Sequence, residues 1–460
     1  MLRDKILYVL IIFLSVSSCQ LTGDIDEVDP GFLVTPEVAI RDAATAEVVL
    51  IGIYTRFRKE GFQTLPQLSS YWGVSGVPLS TINNLQEVYA NSPTLSNPLI
   101  TNLYLNCYSV VSQVNSFNTR LRELSIGAIN DTDKNTLLGE SAFLKASAYF
   151  YALRFFGQHW DLSSDFGIVL RPEDSANNSS AFPRSSVQES YDVILEDLDF
   201  AIANASGNGG PNYRASKEAA QALKAKVLLF MGNYSEAATL AKTVLTSTSK
   251  SFAPNYTAMF KSQTTSPEIF FAPYIDYVED PFSSFRPVNL SNSTYENQAI
   301  TAGDPRLNTQ KFWNQYDNNN GPGNYTPPFF RSTNAHLRLP ELYLIHAEAA
   351  ARAGSAVDAA ALASLNASRT RAAVGLAPLV AGVDITTKAE LLEAIRKEKL
   401  FELFSEQGEP FLDIVRYHYH GDLDGTGIKT TLNSEHLFIF PIPLAELVPA
   451  QGVVEQNPGY

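Results

Sequence analysis

The sequence predicts a mostly α protein, a scaffold of paired antiparallel helices of the tetratricopeptide kind carrying one irregular, loop-rich lobe with short strands. Three observations predict it. Apolar residues recur at helical spacing through much of 36–249 and 336–460. Small residues flank a short turn at matching offsets in two places. The stretch 250–335 changes composition and becomes rich in Pro, Asn, Ser and aromatic residues. At 460 residues the chain can bury a large core without covalent staples. Its two cysteines stand in unrelated contexts and make no disulfide framework, and Cys107 reads as a small core residue.

Taken in order, Arg3 and Lys5 precede an apolar run from Ile6 to Val16 and the small pair Ser17-Ser18, which reads as a secretory signal over 1–18. The run is too short for a hydrocarbon layer of ~30 Å. Cys19 follows, and the acidic "QLTGDIDEVDP" behind it reads as a tether over 19–35. Val38, Ala39, Ala46, Val49, Leu50, Ile53, Tyr54 and Phe57 predict a first long helix from about Pro36, ended by Gly61. The part from 62 to 98, dense in Pro, Ser, Asn and Gly, predicts a loop layer. Helices over about 99–126 and 131–156 follow, the second capped by Asp131 or Thr132 and closed by Gly157. An irregular connection leads to helices at 187–205 and 215–247. Within the latter, Ala225, Gly232, Tyr234, Ala237, Ala241 and Val244 let two helices approach around a short turn, and Ala347, Gly354 and Ala359 repeat the arrangement. The domain reading is therefore 36–249 helical, 250–335 a ligand lobe, and 336–460 helical again; loops of that length in a compact protein are usually functional.

The chemistry is read mainly by exclusion. A net charge of −14 argues against nucleic acid, since phosphate binding needs clustered Lys and Arg. No phosphate loop, Gly-x-Ser-x-Gly elbow, His-Glu-x-x-His or dinucleotide fingerprint is present. His418 and His420 flank Tyr419 as they would on one strand face, but lack a third ligand, so they read as a surface pair and no metal or cofactor is expected. Glu398, Glu402 and Glu406, with Arg396, Lys397 and Lys399 nearby, read as ion-pair rungs on one helix face, and Asp413 with Arg416 as a packed pair. A glycosidase needs only two acids across a cleft, so plentiful carboxylates leave that chemistry open. Charged residues make up 18% and aromatics 11%, and flat rings beside neutral amides suit sugars. The candidate ligand residues are Tyr71 and Trp72 in the first loop layer, then Tyr295, Trp313, Asn314, Tyr316 and Tyr325 in the lobe, with Asn292 and Gln315 beside them. Core packing competes with ligand contact for each ring, and Trp160 reads as structural.

Four motifs, in order, resemble the SusD/RagB family of surface glycan-binding lipoproteins: "GESAFLKASAYFYALRFFG", "LRLPELYLIHAEAAARAG", "LLEAIRKEKLFELFSEQGEPFLDIVRY" and the terminal "HLFIFPIPLAELVPAQGVVEQNPGY". The last has the family's short strand, Pro-x-Pro turn, polar helix and Asn-Pro-Gly-Tyr end. The "SVSSCQ" stretch likewise resembles a bacterial lipoprotein signal, in which Cys19 would carry the lipid; such an anchor is stable because several acyl chains act together. The resemblance implies a non-catalytic protein on the outer-membrane surface that caps a SusC-type TonB-dependent barrel and delivers oligosaccharides to it. Peptide or glycopeptide binding by the same architecture is the alternative, and a lipid-anchored glycoside hydrolase a third reading. One departure stands out: Glu406-Gln407-Gly408-Glu409-Pro410-Phe411 puts an acid and a proline where the family commonly has a basic or polar residue and an aromatic, which leaves the local charge pairing open.

Overall fold

The computed structural model describes residues 39–74, 76–78, 83–125, 127–173, 181–255, 259, 265–274, 293–307, 335–404 and 406–460. Its helices start where the sequence supplies an acceptor for an orphan backbone N–H. Asp42 caps α1 (Ala43–Tyr54), Asn97 caps α4 (Pro98–Glu123), Asn130 caps α5 (Asp131–Phe156) and Ser186 caps α6 (Val187–Asn204). Ser216 does the same for α7 (Lys217–Phe230), Ser293 for α9 (Thr294–Ala302), Asp358 for α11 (Ala359–Thr370) and Thr387 for α12 (Lys388–Leu403). The α5 cap is thus one residue earlier than the sequence suggests: Asn130 accepts from the Asp133 N–H at 2.9 Å. The remaining helices are α2 (Glu60–Trp72), α3 (Asn83–Tyr89), α8 (Tyr234–Ser247), α10 (Leu339–Ala353), α13 (Glu409–Tyr419) and α14 (Leu444–Ala450).

These helices stack largely in chain order. α4 lies on α5, α5 on α6, α6 on α7, α7 on α8, α8 on α10, and α10 on both α11 and α12. The α7–α8 and α10–α11 pairs are the two repeats read from the small residues, and the first turns at Gly232 with φ +81°, a conformation glycine adopts without strain. No single pair can bury its apolar face alone; the stack buries one large apolar cluster running from α1 to α10 and a second between α10, α11 and α12. α5 sits at its centre, buried on every face from Leu137 to Phe156. Its Gly139 touches the C-terminal end of α6: an added Cβ would lie 2.5 Å from the Ala205 nitrogen and 2.8 Å from the Asn204 carbonyl carbon. Gly139→Ala should therefore destabilise the protein by about 1–3 kcal/mol in urea unfolding. Gly207→Ala, with nothing within 4 Å, is the control and should stay near neutral.

The expected loop layer over 62–98 is instead largely helical. Gly61 lies inside α2 because it packs against the backbone of Asn102, where a Cβ would clash, and not because the chain breaks there. Pro66 is tolerated within the same helix, which buries Phe62, Leu65 and Leu68 completely. The first helix is correspondingly shorter than expected and ends in a 3-10 turn, Thr55–Arg58. The described strands are β1 (Ile269–Phe271), inside 250–335, and β2 (Leu337–Arg338), just after it, paired antiparallel. The C-terminal "short strand" is absent: Glu435–Phe438 is a 3-10 turn, followed by extended residues whose Phe440 N–H bonds the Phe155 carbonyl at 2.7 Å.

Candidate functional site

Two described elements of 250–335, β1 and α9 with its 303–307 extension, and β2 just after that segment, are fastened to the helical stack by buried charge. Arg306 grips Asp304 with Nε and Nη2 at 2.9 and 2.7 Å, and its Nη1 donates to Glu398 and Glu402 at 2.8 and 3.0 Å. Arg338 reaches Glu402, Glu268 and Glu406, holding the last by a fork at 2.7 and 2.8 Å. Arg371 adds a third guanidinium to Glu402. Burial raises the Glu402 carboxyl, but Arg371, Arg338 and Arg306 outweigh it and hold it down at about 2. Glu406 goes the other way: burial, helped by the Glu402 and Glu341 charges, pushes it up to about 7 despite Arg338.

The acids expected as ion-pair rungs are indeed paired, though not mainly with their own helix. Glu398 and Glu402 draw their partners from the lobe and from α11 and its end, while Lys399 points elsewhere, to Glu348 and Asp413 at 2.8 and 2.9 Å. Arg416 completes that second cluster, donating to Asp413 at 2.6 Å and to both Glu348 oxygens. A third joins Glu409 to Arg154 at 2.6 Å and to Lys226, which also meets Glu341 at 2.5 Å.

The predicted ligand aromatics fare differently. Tyr71, Trp72 and Tyr295 are 3%, 0% and 0% exposed, so in this structure none offers a ring face to a ligand. The correction has a physical cause: they lie on the inner faces of α2 and α9 instead of in loops. The Trp72 indole N–H donates to the Leu437 carbonyl at 2.6 Å and its ring meets Phe440 edge-on at 4.8 Å. Tyr295 lies 6.0 Å from both Phe401 and Phe404. Trp313, Asn314, Tyr316, Tyr325, Asn292, Gln315 and Cys19 lie outside the described residues.

The histidine pair is not on a strand but at the end of α13. His418 accepts from the Gly425 N–H and meets Glu435 at 3.2 Å, and His420 meets the Tyr234 hydroxyl at 2.6 Å. Among the described residues no group of three or more His, Cys, Asp or Glu is placed to hold a metal ion. A water-sized cavity lies beneath β2, lined in part by Phe143, Tyr151, Arg154, Lys226 and His336. Burial holds the His336 imidazole down at about 3, so it stays neutral there, with Nδ1 on the Tyr151 hydroxyl at 2.8 Å. Sequence reasoning passed over Tyr274, which follows β1 at the edge of the lobe, is 47% exposed, and packs edge-on against Tyr213 at 5.3 Å. Its only signal was an aromatic directly after a strand-like run.

Residues 43–229 match a family model described as starch-binding associating with outer membrane, and residues 288–460 match the model of the SusD family. The chain belongs to the SusD family. A SusD superfamily protein of Bacteroides thetaiotaomicron has the same fold, with TM-score 0.71 and 20% identity over 91% of this chain and 100% of its own. One from Parabacteroides distasonis gives TM-score 0.72 and 19% identity over 91% and 99%. A SusD-like protein of Bacteroides ovatus is 26% identical over 132 residues, 29% of this chain and 22% of that protein's length. Among the described residues no helix is long and apolar enough to cross a membrane.

Within this SusD family chain the recognisable motifs are structural parts. The departure after α12 is accommodated, since Glu406 pairs with Arg338, Glu409 with Arg154 and Lys226, and Pro410 sits in the first turn of α13, where a missing N–H costs nothing. Gly408, at φ +81°, lies against Phe155, where a Cβ would come within 2.7 Å of the ring. The terminal Asn-Pro-Gly-Tyr is a clamp: Asn457 donates to the Phe156 and Phe440 carbonyls at 3.0 and 2.8 Å, and accepts from Arg184 at 2.7 Å. Tyr460 ties back to the Ile439 carbonyl at 2.8 Å.

Proposed function

We propose that the protein is a non-catalytic surface lipoprotein, anchored through Cys19, that captures a neutral oligosaccharide and passes it to a SusC-like TonB-dependent barrel in the outer membrane. The observation that carries the reading is membership of the SusD family along most of the chain. Two structural facts support it. The acids of α12 and α13 that could have served as an acid/base pair are taken up in buried ion clusters. Arg306, Arg338 and Arg371 fasten residues 304–306, β2 and the end of α11 to α12 and the residues after it through Glu398, Glu402 and Glu406.

With Tyr71, Trp72 and Tyr295 in the core, the ligand role falls to Trp313, Asn314, Tyr316 and Tyr325. Sugar hydroxyls compete with water and few rings stack, so affinity is modest and release to the barrel is easy. Calorimetry against a panel of neutral glycans should find binding that Trp313→Ala weakens about five- to tenfold, the worth of one stacked ring. Unchanged binding in Trp313→Ala and Tyr316→Ala would remove this site. Binding of peptide mixtures in place of any glycan would replace the ligand class, and sugar release on incubation would make the protein a hydrolase.

A further inference from the structure

A second aromatic feature is built from residues outside 250–335. The loop 158–166 leaves α5 and closes on itself: the Gln158 N–H bonds the Phe166 carbonyl at 2.9 Å, and Ser164 Oγ donates to Gln158 Oε1 at 2.6 Å. The Tyr191 hydroxyl holds it from α6 through the His159 carbonyl at 2.8 Å. None of these closures uses the Trp160 side chain, which the loop carries to the surface half-buried. There its ring lies flat on Tyr419, with centroids 4.3 Å apart and planes 8° from parallel. Phe438, fully buried, meets Tyr419 edge-on at 6.0 Å from below.

The edges of the stack are polar. The Trp160 indole N–H makes no hydrogen bond with the described residues and is not among their buried unpaired donors, so it is not sealed from solvent. Glu435 is held in place by the Tyr419 hydroxyl at 3.0 Å and by His418 at 3.2 Å, yet its side chain is 58% exposed, leaving acceptor capacity toward solvent. Asp161 is exposed as well, with Oδ1 taken by Ser163 and Oδ2 unused among the described residues. It follows Trp160 directly in the loop.

We propose that the Trp160–Tyr419 stack with Asp161 and Glu435 is a second carbohydrate-binding platform, for an uncharged saccharide. Rings bury the apolar C–H face of a sugar, carboxylates accept from its hydroxyls, and the indole N–H donates to a ring or hydroxyl oxygen. The two carboxylates repel uronic acids and sulfated sugars, which fixes the class as neutral. The proposal rests on the reading that this protein binds glycans, but it adds a site that loss of the lobe rings leaves intact.

The test is calorimetry of the full chain against neutral oligosaccharides, with Trp160→Ala, Trp160→Phe and Trp313→Ala compared with the unmodified protein. Intrinsic fluorescence of a Trp72→Phe, Trp313→Phe double variant, in which Trp160 is the sole indole, supplies a direct readout. The expected result is a saturable emission change on adding glycan, and an affinity about five- to tenfold weaker for Trp160→Ala at a site that Trp313→Ala preserves, with Trp160→Phe close to the unmodified protein. Silent Trp160 emission, or Trp160→Ala binding as tightly as the unmodified protein, overturns the platform. If Trp313→Ala alone then abolishes binding, the proposed function survives without it. If no neutral glycan binds the unmodified protein, both fall together.

Discussion

Glu402→Ala should lower the unfolding free energy by about 3–5 kcal/mol, the range for removing one partner from a buried ion cluster. The carboxylate is 0% exposed and faces Arg306, Arg338 and Arg371, so its loss leaves three buried guanidinium groups short of an anion. The pH dependence has a definite sign. The folded-state value of about 2 lies below the ordinary 4.5, so the stabilisation is present above pH 4.5 and drains away as pH falls from there toward 2. Urea unfolding at pH 7 and pH 3 checks both parts: the gap between Glu402→Ala and the unmodified protein should be large at the first and smaller at the second. Glu393→Ala is the control on the same helix. Its partners Arg396 and Lys397 lie three and four residues on, and its side chain is 43% exposed, so about 0–1 kcal/mol is expected. Equal losses for the two variants would refute a role for the buried cluster in fastening the lobe.

The spacing of Glu398, Glu402 and Glu406 showed that these acids belong together, but not to whom. Arg306, Arg338 and Arg371 arrive from up to 96 residues away in the chain, and local pairing rules cannot see them. The same limit explains the ligand rings. Tyr71 and Trp72 follow a Ser-Ser pair and precede Gly73, which reads as loop chemistry, whereas they close a helix, α2, packed on α4 with Gly61 against the Asn102 backbone, and both rings are buried. Helices bounded by local signals, such as α6 with its Ser186 cap, α7 with its Ser216 cap and the Gly232 turn into α8, were legible almost to the residue, because those signals act within one turn of the chain. Trp160 reads in the sequence as structural; the ring it stacks on, Tyr419, comes from the end of α13, beyond the reach of local patterns.

Glu406→Gln should remove a pH dependence that the unmodified protein shows between about 4.5 and 7. Glu402 and Glu406 lie four residues apart, yet their environments drive them in opposite directions. Glu402 meets three guanidinium groups, while Glu406 depends on Arg338, which Glu402 and Glu268 already share. Full burial then favours the protonated acid, and its value rises to about 7. A raised acid keeps its proton in the fold while the unfolded chain has released it, so stability declines as pH climbs from 4.5 through 7. The decline amounts to about 3 kcal/mol, at about 1.36 kcal/mol for each pH unit that separates the folded value from the ordinary one. The amide that Glu406→Gln introduces carries no charge at any pH. Urea midpoints of the variant at pH 5, 6.5 and 8 should therefore change little from this cause, and the variant should gain on the unmodified protein as pH rises. Asp197, buried beside Lys145 and pushed up to about 6, titrates in an overlapping window and must be separated by Asp197→Asn. If Glu406→Gln tracks the unmodified protein across the three pH values while Asp197→Asn flattens the curve, the proton sits on Asp197, and Glu406 is ionised in its fork with Arg338.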